Sequence, residues 1–468
     1  MNGRLVAVSN RVSIPRKKSA PGGLAVGLLA AMRSRGGLWF GWSGELTEDE
    51  PSGTEVVRRG GISYAITDMR RELFEHYYYG FANGMLWPLF HYFLETFRYQ
   101  DGNYDAYLEA NRFLAGRLQP LLEPGDILWV HDYHLIPMAR LLREEGESCP
   151  VGFFLHTPFP HFEVLRALPV HAELLSDLCA YDVVGFQTAN DLNSFRDSIR
   201  YVWGEESVRD PGYVVVDGRR VRTGVFPIGV DVEAIRAESE TTRNSETVKR
   251  MVRSVGRRKL VIGVDRLDYS KGMVERFDAF QRFLESQPDS HGKVTLLQIA
   301  PLSRADMRSY AAIREQLEGL AGRINGEFAD TDWTPLRYLN RNFSHDVLMG
   351  FMRAAHVCLV TPVRDGMNLV AKEFVAAQDE KDPGVLILST LAGAARELTD
   401  ALLVNPYDTR AVAQVLQAAL SMPLSERRQR HRSMMAVIRR NDIHAWHGNF
   451  VAELEAFQAG AARCDRSK

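Results

Sequence analysis

Residues 259–287 read KLVIGVDRLDYSKGMVERFDAFQRFLESQ, and they set the architecture of the chain. The first part, Leu260–Val264, is an apolar run of strand length, typical of a strand buried on both faces. The last part, Ser270–Gln287, carries apolar side chains in steps of four, three and four, which is a helical spacing. A polar loop joins the two. The stretch therefore predicts one strand–loop–helix unit of a parallel α/β sheet.

Similar apolar runs recur along the chain with longer helical patterns between them. They are Leu5–Val8, Ile127–Val130, Val151–Leu155, Val183–Phe186, Val294–Ile299, Val357–Val360, Val385–Leu388 and Leu402–Val404. Such alternation predicts an α/β fold with doubly wound parallel sheets. A chain of 468 residues exceeds one core, and the polar stretch 238–251 suggests a linker or surface helix. We predict domains over 1–235 and 236–441, with a helix over about 442–465 packing back on the first.

The composition excludes several classes of protein. With 57 basic and 59 acidic side chains, the net charge is -2, which argues against nucleic-acid and membrane-surface binding. The four cysteines are far apart, so buried thiols are a better interpretation than a disulfide or zinc framework. No apolar stretch approaches the ~18 residues that span a bilayer. We expect a cytoplasmic protein.

Polar and ionisable side chains follow six of the predicted strands. They include Arg11, Asp132, His156, Arg266, Lys271, Arg304 and Asp365. Ligands of open parallel sheets bind beyond the carboxyl ends of the strands. Helix caps and turns also place polar residues there, but they do not account for so many histidines, arginines and lysines. The pattern favours a functional site, and we expect it in a cleft between the two domains.

The basic residues suggest an anionic ligand. Arg266 and Lys271 lie at the mouth of a predicted helix, where a guanidinium fork and a point charge suit a diphosphate; the alternative is that both are simply solvated. Gly22 and Gly23 precede another helical stretch and would let the backbone approach a phosphate, although such a pair is more often an ordinary turn.

A second group of residues suits a sugar phosphate. Arg11 and Arg304 could hold a second anion. Tyr78 and Trp87 lie in an aromatic stretch that could pack against sugar faces, but such a stretch is more often core. Glu373 could accept hydrogen bonds from ribose or sugar hydroxyls, or could merely favour the start of its helix.

The triplet Asp330-Thr331-Asp332 has the DxD pattern that holds a divalent metal in some sugar-nucleotide enzymes. It lies in a polar stretch and not after a strand, so we interpret it as a turn. Arg266 and Lys271 can neutralise a leaving group by themselves. We therefore predict neither a metal nor another cofactor.

Thirteen segments, taken in order over nearly the whole chain, carry a family resemblance. They are VSNRV, GGLAVGL, GGLWFGWSGE, LWPLFHY, VHDYHLIP, GFFLHTPFP, GFQT, VFPIGVD, DRLDYSKG, QIAPLSR, AGRINGEF, TPVRDGMNLVAKEFVAAQ and NPYD. Together they resemble trehalose-6-phosphate synthases of the retaining GT-B glycosyltransferases. The resemblance implies two Rossmann-like domains, often in a homotetramer. It also implies transfer of glucose from a nucleotide sugar, most simply UDP-glucose, to glucose 6-phosphate, giving α,α-trehalose 6-phosphate with retention.

The resemblance also implies roles for individual residues. The acceptor-binding set is Arg11, Tyr78, Trp87, Asp132 and Arg304. The donor-binding set is Gly22, Gly23, Arg266, Lys271, Phe343, Asp365, Leu369, Val370, Ala371, Lys372 and Glu373. The catalytic set is Asp132, His156, Arg266 and Lys271. The resemblance assigns anomer selectivity to Trp87 and Thr157. At position 157, close relatives usually have an aliphatic residue instead of threonine.

Alternatives stay open on the sequence alone. A sister transferase could use glycerol 3-phosphate or a cyclitol phosphate as acceptor, and the donor base could be uracil, adenine or guanine. A non-catalytic sugar-phosphate sensor could share the fold. A nicotinamide dehydrogenase is disfavoured because no G-x-G-x-x-G follows the first strand. The sequence places no nucleophilic carboxylate below the anomeric carbon, and the resemblance implies front-side attack without a covalent intermediate.

Overall fold

The computed structural model describes residues 3–12, 14, 27–29, 31–32, 37–210, 212–302 and 308–465. The chain forms two compact units. Of the described residues, the first unit takes in those up to Ile228, together with the segment Ile443–Asp465. The second unit runs from Gly229 to Asp442.

The first unit is built on a sheet with strand order β3-β4-β2-β1-β5-β6-β7-β9-β8. Its strands are β1 Leu5–Arg11, β2 Gly37–Thr47, β3 Thr54–Arg59, β4 Ile62–Arg70, β5 Ile127–His131, β6 Val151–Phe154, β7 Val183–Phe186, β8 Tyr213–Val216 and β9 Arg219–Val225. Neighbouring strands are parallel except in the pairs β3–β4 and β8–β9, which form antiparallel edges. The four predicted strands of this half are confirmed.

Helices cover both faces of this sheet, as expected for a parallel sheet buried on both sides. They are α1 Arg71–Phe74, a π-helix Glu75–Leu86, α2 Trp87–Phe90, α3 Asp101–Leu118, α4 Met138–Glu144, α5 Phe162–Leu165, α6 His171–Leu178 and α7 Ala189–Trp203. The first three form one continuous helical segment from residue 71 to residue 90. A π-helical segment of this length is uncommon and often accompanies a functional site.

The second unit contains a parallel sheet of strand order β12-β11-β10-β13-β14-β15. Its strands are β10 Lys259–Val264, β11 Val294–Ile299, β12 Leu336–Leu339, β13 Val357–Val360, β14 Val385–Ser389 and β15 Leu402–Val404. Its helices are α8 Val232–Thr242, α9 Glu246–Val255, α10 Met273–Ser286, α11 Arg308–Phe328, α12 His345–Ala354, α13 Leu369–Ala377, α14 Thr409–Ser421 and α15 Leu424–Arg440. All five predicted strands of this half are confirmed.

The apolar stripe predicted for the helix after β10 faces the core of the second unit. Met273, Phe277, Phe280 and Leu284 of α10 all have 0% of their surface exposed. Burying side chains of this size contributes roughly 1.5–3 kcal/mol each. The strand–loop–helix unit predicted from residues 259–287 is therefore confirmed, and its packing fixes the loop between β10 and α10.

The domain boundary predicted after residue 235 needs correction. That residue lies inside α8, and the division falls between Ile228 and Gly229. Of the two interpretations of the polar stretch 238–251, the surface helix is confirmed and the linker is wrong, because most of the stretch belongs to α8 and α9. Both helices pack on α12: a Cβ on Gly350 would lie 2.6 Å from the Val248 side chain and 3.4 Å from that of Thr242.

The last described helix is α16, Ile443–Asp465, which belongs to the first unit. Phe450 stacks on Trp129 of β5, with ring centroids 4.8 Å apart and an interplanar angle of 14°. Gly152 and Gly185 leave room for this ring, since a Cβ on either would lie less than 3 Å from it. The absence of two side chains thus lets the helix approach the sheet closely.

Candidate functional site

The carboxyl ends of three neighbouring strands are aligned in the first unit. Ser9 of β1 pairs with His131 of β5, and His131 pairs with Phe154 of β6. Since parallel strands end at the same edge, side chains that follow them lie near one another. The predicted residues at this edge are Arg11, Asp132 and His156.

Asp132 ties two of these strand ends together. Its φ of 75° is a left-handed conformation, which is strained for a residue with a side chain and is common at functional sites. The backbone N–H of Asp132 donates to the carbonyl of Phe154 at 2.9 Å. In return, the carboxylate oxygen Oδ1 accepts from the backbone N–H of His156 at 3.2 Å. The position of Asp132 is therefore fixed relative to His156.

A row of aromatic rings leads away from Arg11. The Arg11 guanidinium carbon lies 5.5 Å from the ring centroid of Trp42, a cation–π arrangement. Trp42 contacts Phe74 at 4.5 Å, and Phe74 stacks on Tyr78 at 4.7 Å and 14°. Tyr78 in turn stacks on His134 at 5.6 Å and 14°. The half-exposed Tyr78 ring is thus held rigidly, with Arg11 at the other end of the row.

A chain of contacts within the core connects Trp87 to Tyr78 of this row of rings. Its ring lies 5.8 Å from that of Tyr133, whose hydroxyl donates to Asn83 Oδ1 at 2.8 Å. Asn83 Nδ2 donates to the backbone carbonyl of Tyr78 at 2.9 Å. Only 5% of Trp87 is exposed. The core interpretation of the aromatic stretch is right for most of its members, among them Tyr77, Phe81 and Phe90.

His131 is a residue of this edge that the sequence did not single out. It is the last residue of β5, completely buried, and its Nδ1 lies 3.1 Å from Nε2 of His156. Burial lowers the pKa of His131 well below its usual value and lowers the pKa of His156 to about 3. Both imidazoles are therefore neutral at physiological pH. A histidine at the end of an apolar strand was the signal that could have identified it.

Thr157 carries a buried hydroxyl whose Oγ1 has no hydrogen-bond partner within the described part of the chain. Such a group costs about 1–3 kcal/mol. We therefore expect Thr157→Val, which keeps the shape of the side chain, to raise the free energy of unfolding of the ligand-free protein by about 1 kcal/mol. Urea unfolding measures this, with Thr157→Ala as a control that also opens a cavity. A valine variant less stable than the parent would contradict the prediction.

In the second unit, Lys271 and Asp365 form an ion pair. Lys271 Nζ donates to Asp365 Oδ2 at 2.6 Å, and Asn368 Nδ2 donates to the same oxygen at 3.1 Å. Both partners are largely buried. The loop that carries Lys271 closes at Gly272, whose φ is 61° and whose Cβ would lie 2.1 Å from the carbonyl oxygen of Thr361. Only glycine allows this close, left-handed passage.

Arg266 and Phe343 are two further residues of the predicted donor-binding set, and both lie in the second unit. Arg266 is exposed, and its guanidinium forms no ion pair with any residue that the structure describes. Its charge is therefore available to a ligand. Phe343 is half-buried and packs edge-on against Phe351, with centroids 5.2 Å apart.

The predicted helix after Asp365 is confirmed as α13, and it begins with a strained cap. Asn368 has a φ of 75°, and its Oδ1 accepts from the backbone N–H of Ala371 at 3.4 Å. Leu369 and Val370, the first two residues of the helix, are half-exposed. The first N–H groups of a helix have no partner within it and attract anions.

Two residues of the predicted donor set point into the interior. The side chain of Ala371 is fully buried, and so is that of Lys372. The Lys372 ammonium donates to Glu397 Oε2 at 2.6 Å, and burial lowers its pKa against the opposing effect of this carboxylate. Any contribution of these two residues to ligand binding has to come from their backbone.

His345 is a second histidine that sequence reasoning missed, since no motif surrounds it. It begins α12 and lies between two carboxylates: Nδ1 is 2.7 Å from Glu238 Oε2, and Nε2 is 3.6 Å from Glu373 Oε1. Burial disfavours its charge, but the hydrogen bonds to Glu238 and Glu373 outweigh burial and raise the pKa of His345 to about 10. A charged imidazole thus holds the carboxylate of Glu373.

This arrangement predicts the titration of His345. Its imidazole should hold its proton through neutral pH and lose it near pH 10, compared with 6.5 for a free histidine. Because the folded-state pKa is raised, the stabilisation is complete below about pH 6.5 and is lost as the pH rises through about 10. NMR of selectively ¹⁵N-labelled histidines would follow it, with Glu238→Gln as a control that lowers the pKa. Titration near 6.5 in the parent would refute the ion bridge.

Three predicted residues, Gly22, Gly23 and Arg304, lie outside the described residues. The Asp330-Thr331-Asp332 triplet forms the predicted turn: Asp330 Oδ1 accepts from the N–H of Thr331 at 2.7 Å, and Asp332 pairs with Arg258 at 2.9 Å. The described residues contain no cluster of three or more metal-ligating side chains. Among them, no helix combines the length and apolar character that crossing a bilayer requires.

Comparison with known proteins identifies the family. The model of glycosyltransferase family 20 matches residues 5–456. A trehalose-6-phosphate synthase from Klebsiella pneumoniae is 50% identical over 97% of this chain and 95% of its own length. Among solved structures, an α,α-trehalose-phosphate synthase (UDP-forming) from Burkholderia vietnamiensis has a TM-score of 0.94 at 48% identity, covering 97% of this chain and 99% of its own.

A second solved structure is equally similar. The α,α-trehalose-phosphate synthase (UDP-forming) from Burkholderia xenovorans, in complex with glucose 6-phosphate, has a TM-score of 0.94 at 47% identity, covering 97% of this chain and all of its own. The expected GT-B architecture of two Rossmann-like units is therefore confirmed. With a family model matching almost its whole length, this chain belongs to glycosyltransferase family 20.

Proposed function

We propose that this chain transfers glucose from UDP-glucose to the anomeric hydroxyl of glucose 6-phosphate, giving α,α-trehalose 6-phosphate and UDP. Its membership of glycosyltransferase family 20 supports this proposal. So do the activities named for its relatives: a trehalose-6-phosphate synthase at 50% identity, and a UDP-forming enzyme solved with glucose 6-phosphate.

The observation that carries the proposal is the arrangement around Lys271 in the second unit. The Lys271 ammonium lies 2.6 Å from Asp365, next to the capped start of α13. Arg266 lies on the same loop as Lys271, and its guanidinium has no ion-pair partner among the described residues. A diphosphate suits two cations and a helix N-terminus. Asp365 and Glu373 are carboxylates that can accept hydrogen bonds from glucose and ribose hydroxyls.

The first unit supplies groups suited to the acceptor. Arg11 offers a charge for the 6-phosphate, and Tyr78 and Trp87 offer aromatic surface for the sugar ring. The Asp132 carboxylate can accept a hydrogen bond from a sugar hydroxyl. Arg304 is assigned to the same phosphate by the family resemblance.

The reaction follows from these groups without a covalent glycosyl-enzyme. The bond between the anomeric carbon of glucose and the diphosphate oxygen breaks, and a bond from that carbon to the acceptor oxygen forms on the same face. The acceptor proton passes to the departing diphosphate. Arg266 and Lys271 stabilise the charge that develops there, by roughly 2–4 kcal/mol each. His156 binds a hydroxyl of the donor sugar and does not act as a base, in keeping with its pKa of about 3.

Two further properties form part of the proposal. Because Arg266 and Lys271 can neutralise the leaving group, the reaction proceeds without a divalent metal. The family resemblance also implies a homo-oligomer, a tetramer, which sedimentation of the purified chain would test.

A donor-by-acceptor activity matrix tests the function. UDP-, ADP- and GDP-glucose are each combined with glucose 6-phosphate, glycerol 3-phosphate and a cyclitol phosphate, with EDTA present. We expect the highest kcat/KM for UDP-glucose with glucose 6-phosphate. Preference for another acceptor would identify a sister transferase. Binding of UDP and glucose 6-phosphate by calorimetry without any turnover would identify a sensor.

A further inference from the structure

His131 is buried in the first unit next to a residue of the proposed site, and no step of the proposed reaction uses it. Its imidazole lies among the rings of Trp129 and Trp446, with centroids 4.5 and 6.2 Å away. Its single polar contact within the described residues is the one with His156. The other ring nitrogen, Nε2, is buried without a hydrogen-bond partner there.

The contact between the two histidines is a hydrogen bond with one proton, which belongs to one of the two rings. Both rings are neutral, because burial lowers both pKa values. Nδ1 of His131 and Nε2 of His156 are 3.1 Å apart, so one of them donates and the other accepts. A neutral imidazole carries one proton, and the direction of this bond therefore fixes the tautomer of each ring.

The buried Nε2 of His131 distinguishes between the two possible directions of this hydrogen bond. If His156 donated, His131 would carry its proton on Nε2 and bury an N–H group without an acceptor. If His131 donates, its own unpartnered Nε2 carries no proton and only exposes a lone pair. Orphaned buried N–H groups are rarer in proteins than under-satisfied acceptors. The second arrangement is therefore the favoured one.

We propose that His131 is a positioning residue that holds His156 in the Nδ1-protonated tautomer. Nδ1–H of His131 donates to Nε2 of His156, so that His156 keeps an N–H donor at Nδ1, where no described residue pairs with it. That N–H then donates to a hydroxyl of the bound donor sugar. The backbone of His156 is held in addition by Asp132. The identity of the ligand that His156 binds rests on the proposed function. The tautomer of His156 does not depend on it.

The tautomer is tested on the ligand-free protein by ¹⁵N NMR of selectively labelled histidines. The His156 signals are assigned by their loss in His156→Gln. In the parent we expect the Nδ1-protonated pattern. In His131→Phe, which removes the donor and keeps a flat ring, Nε2 of His156 loses its hydrogen bond and stays an unprotonated acceptor, so we expect its ¹⁵N resonance to move downfield. A parent already protonated at Nε2, or an Nε2 resonance of His156 that is unchanged in His131→Phe, would overturn the proposal.

Kinetics supply the second readout. His131→Phe should lower kcat about 10- to 100-fold, since a misdirected group near the reacting centre has an effect of that order. His131→Asn, whose side-chain N–H₂ can replace Nδ1–H, should recover most of the rate. Equal losses in both variants, with the Nε2 resonance of His156 unchanged in His131→Phe, would indicate a packing role and reject the inference. If the parent itself shows no transfer, the proposed function fails while the NMR result still decides the tautomer.

Discussion

Arg266→Ala is expected to lower kcat for glucose transfer by about 100- to 1000-fold, the usual effect of removing one donor that stabilises transition-state charge. Arg266 is the exposed cation of the β10–α10 loop, without an ion-pair partner among the described residues. Its charge is therefore free to meet the diphosphate as the glycosidic bond breaks. Steady-state kinetics with both substrates varied would measure the effect on kcat and on each KM.

Two further variants make this test specific. Arg266→Lys keeps a positive charge but loses the planar fork, so we expect an intermediate kcat. Arg304→Ala should instead raise the KM for glucose 6-phosphate, because the resemblance assigns it to the acceptor phosphate. The assignment of Arg266 is wrong if Arg266→Ala leaves kcat unchanged and only raises the acceptor KM.

Arg276→Met is expected to destabilise the second unit by about 3–5 kcal/mol, because it leaves a buried carboxylate without its counter-charge. Arg276 is completely buried, and Nη1 lies 2.6 Å from Asp265 Oδ2 and 2.8 Å from Gln298 Oε1. Its Nε donates to Thr361 Oγ1 at 3.0 Å, and its Nη2 donates to the backbone carbonyl of Lys271 at 3.3 Å. This one guanidinium joins three strand ends to the loop that carries Lys271.

Urea unfolding measures the loss of stability, and hydrogen exchange locates it in the second unit. Burial raises the pKa of Asp265 while Arg276 opposes that effect, so removing Arg276 should raise it further. The double variant Asp265→Asn with Arg276→Met removes both charges and should recover part of the stability. If Arg276→Met unfolds at the same urea concentration as the parent, the buried pair has no such structural role.

Most of the parallel strands were predictable because burial on both faces makes them continuous apolar runs, but the parallel strands β2 and β12 were missed. Val183–Phe186 and Val294–Ile299 have the predicted bounds. The antiparallel edges were missed, since edge strands are half-exposed and mix polar with apolar residues. Their turns were nevertheless visible: Gly60-Gly61 joins β3 to β4, and Asp217-Gly218 joins β8 to β9, all with positive φ. Such two-residue turns are the strongest short-range hairpin signal.

The site was partly predictable for a related reason. Parallel strands end at one edge, so residues after strands, such as Asp132 and Lys271, could be assigned to a site from their position alone. His131 could have been assigned in the same way, since it ends an apolar strand, but His345 could not, because its significance depends on contacts with Glu238 and Glu373, which are distant in sequence. The burial of the Lys372 side chain was equally invisible, since its partner Glu397 lies 25 residues further along the chain.

NMR analysis of the product is the most direct test of the central proposal. The purified chain is incubated with UDP-glucose and glucose 6-phosphate in EDTA, and the disaccharide is examined at both anomeric carbons. We predict a 1,1-linked disaccharide phosphate with α configuration on both sides and release of one UDP for each linkage. A β configuration at the transferred glucose, a linkage through another hydroxyl, or no disaccharide at all would contradict the account.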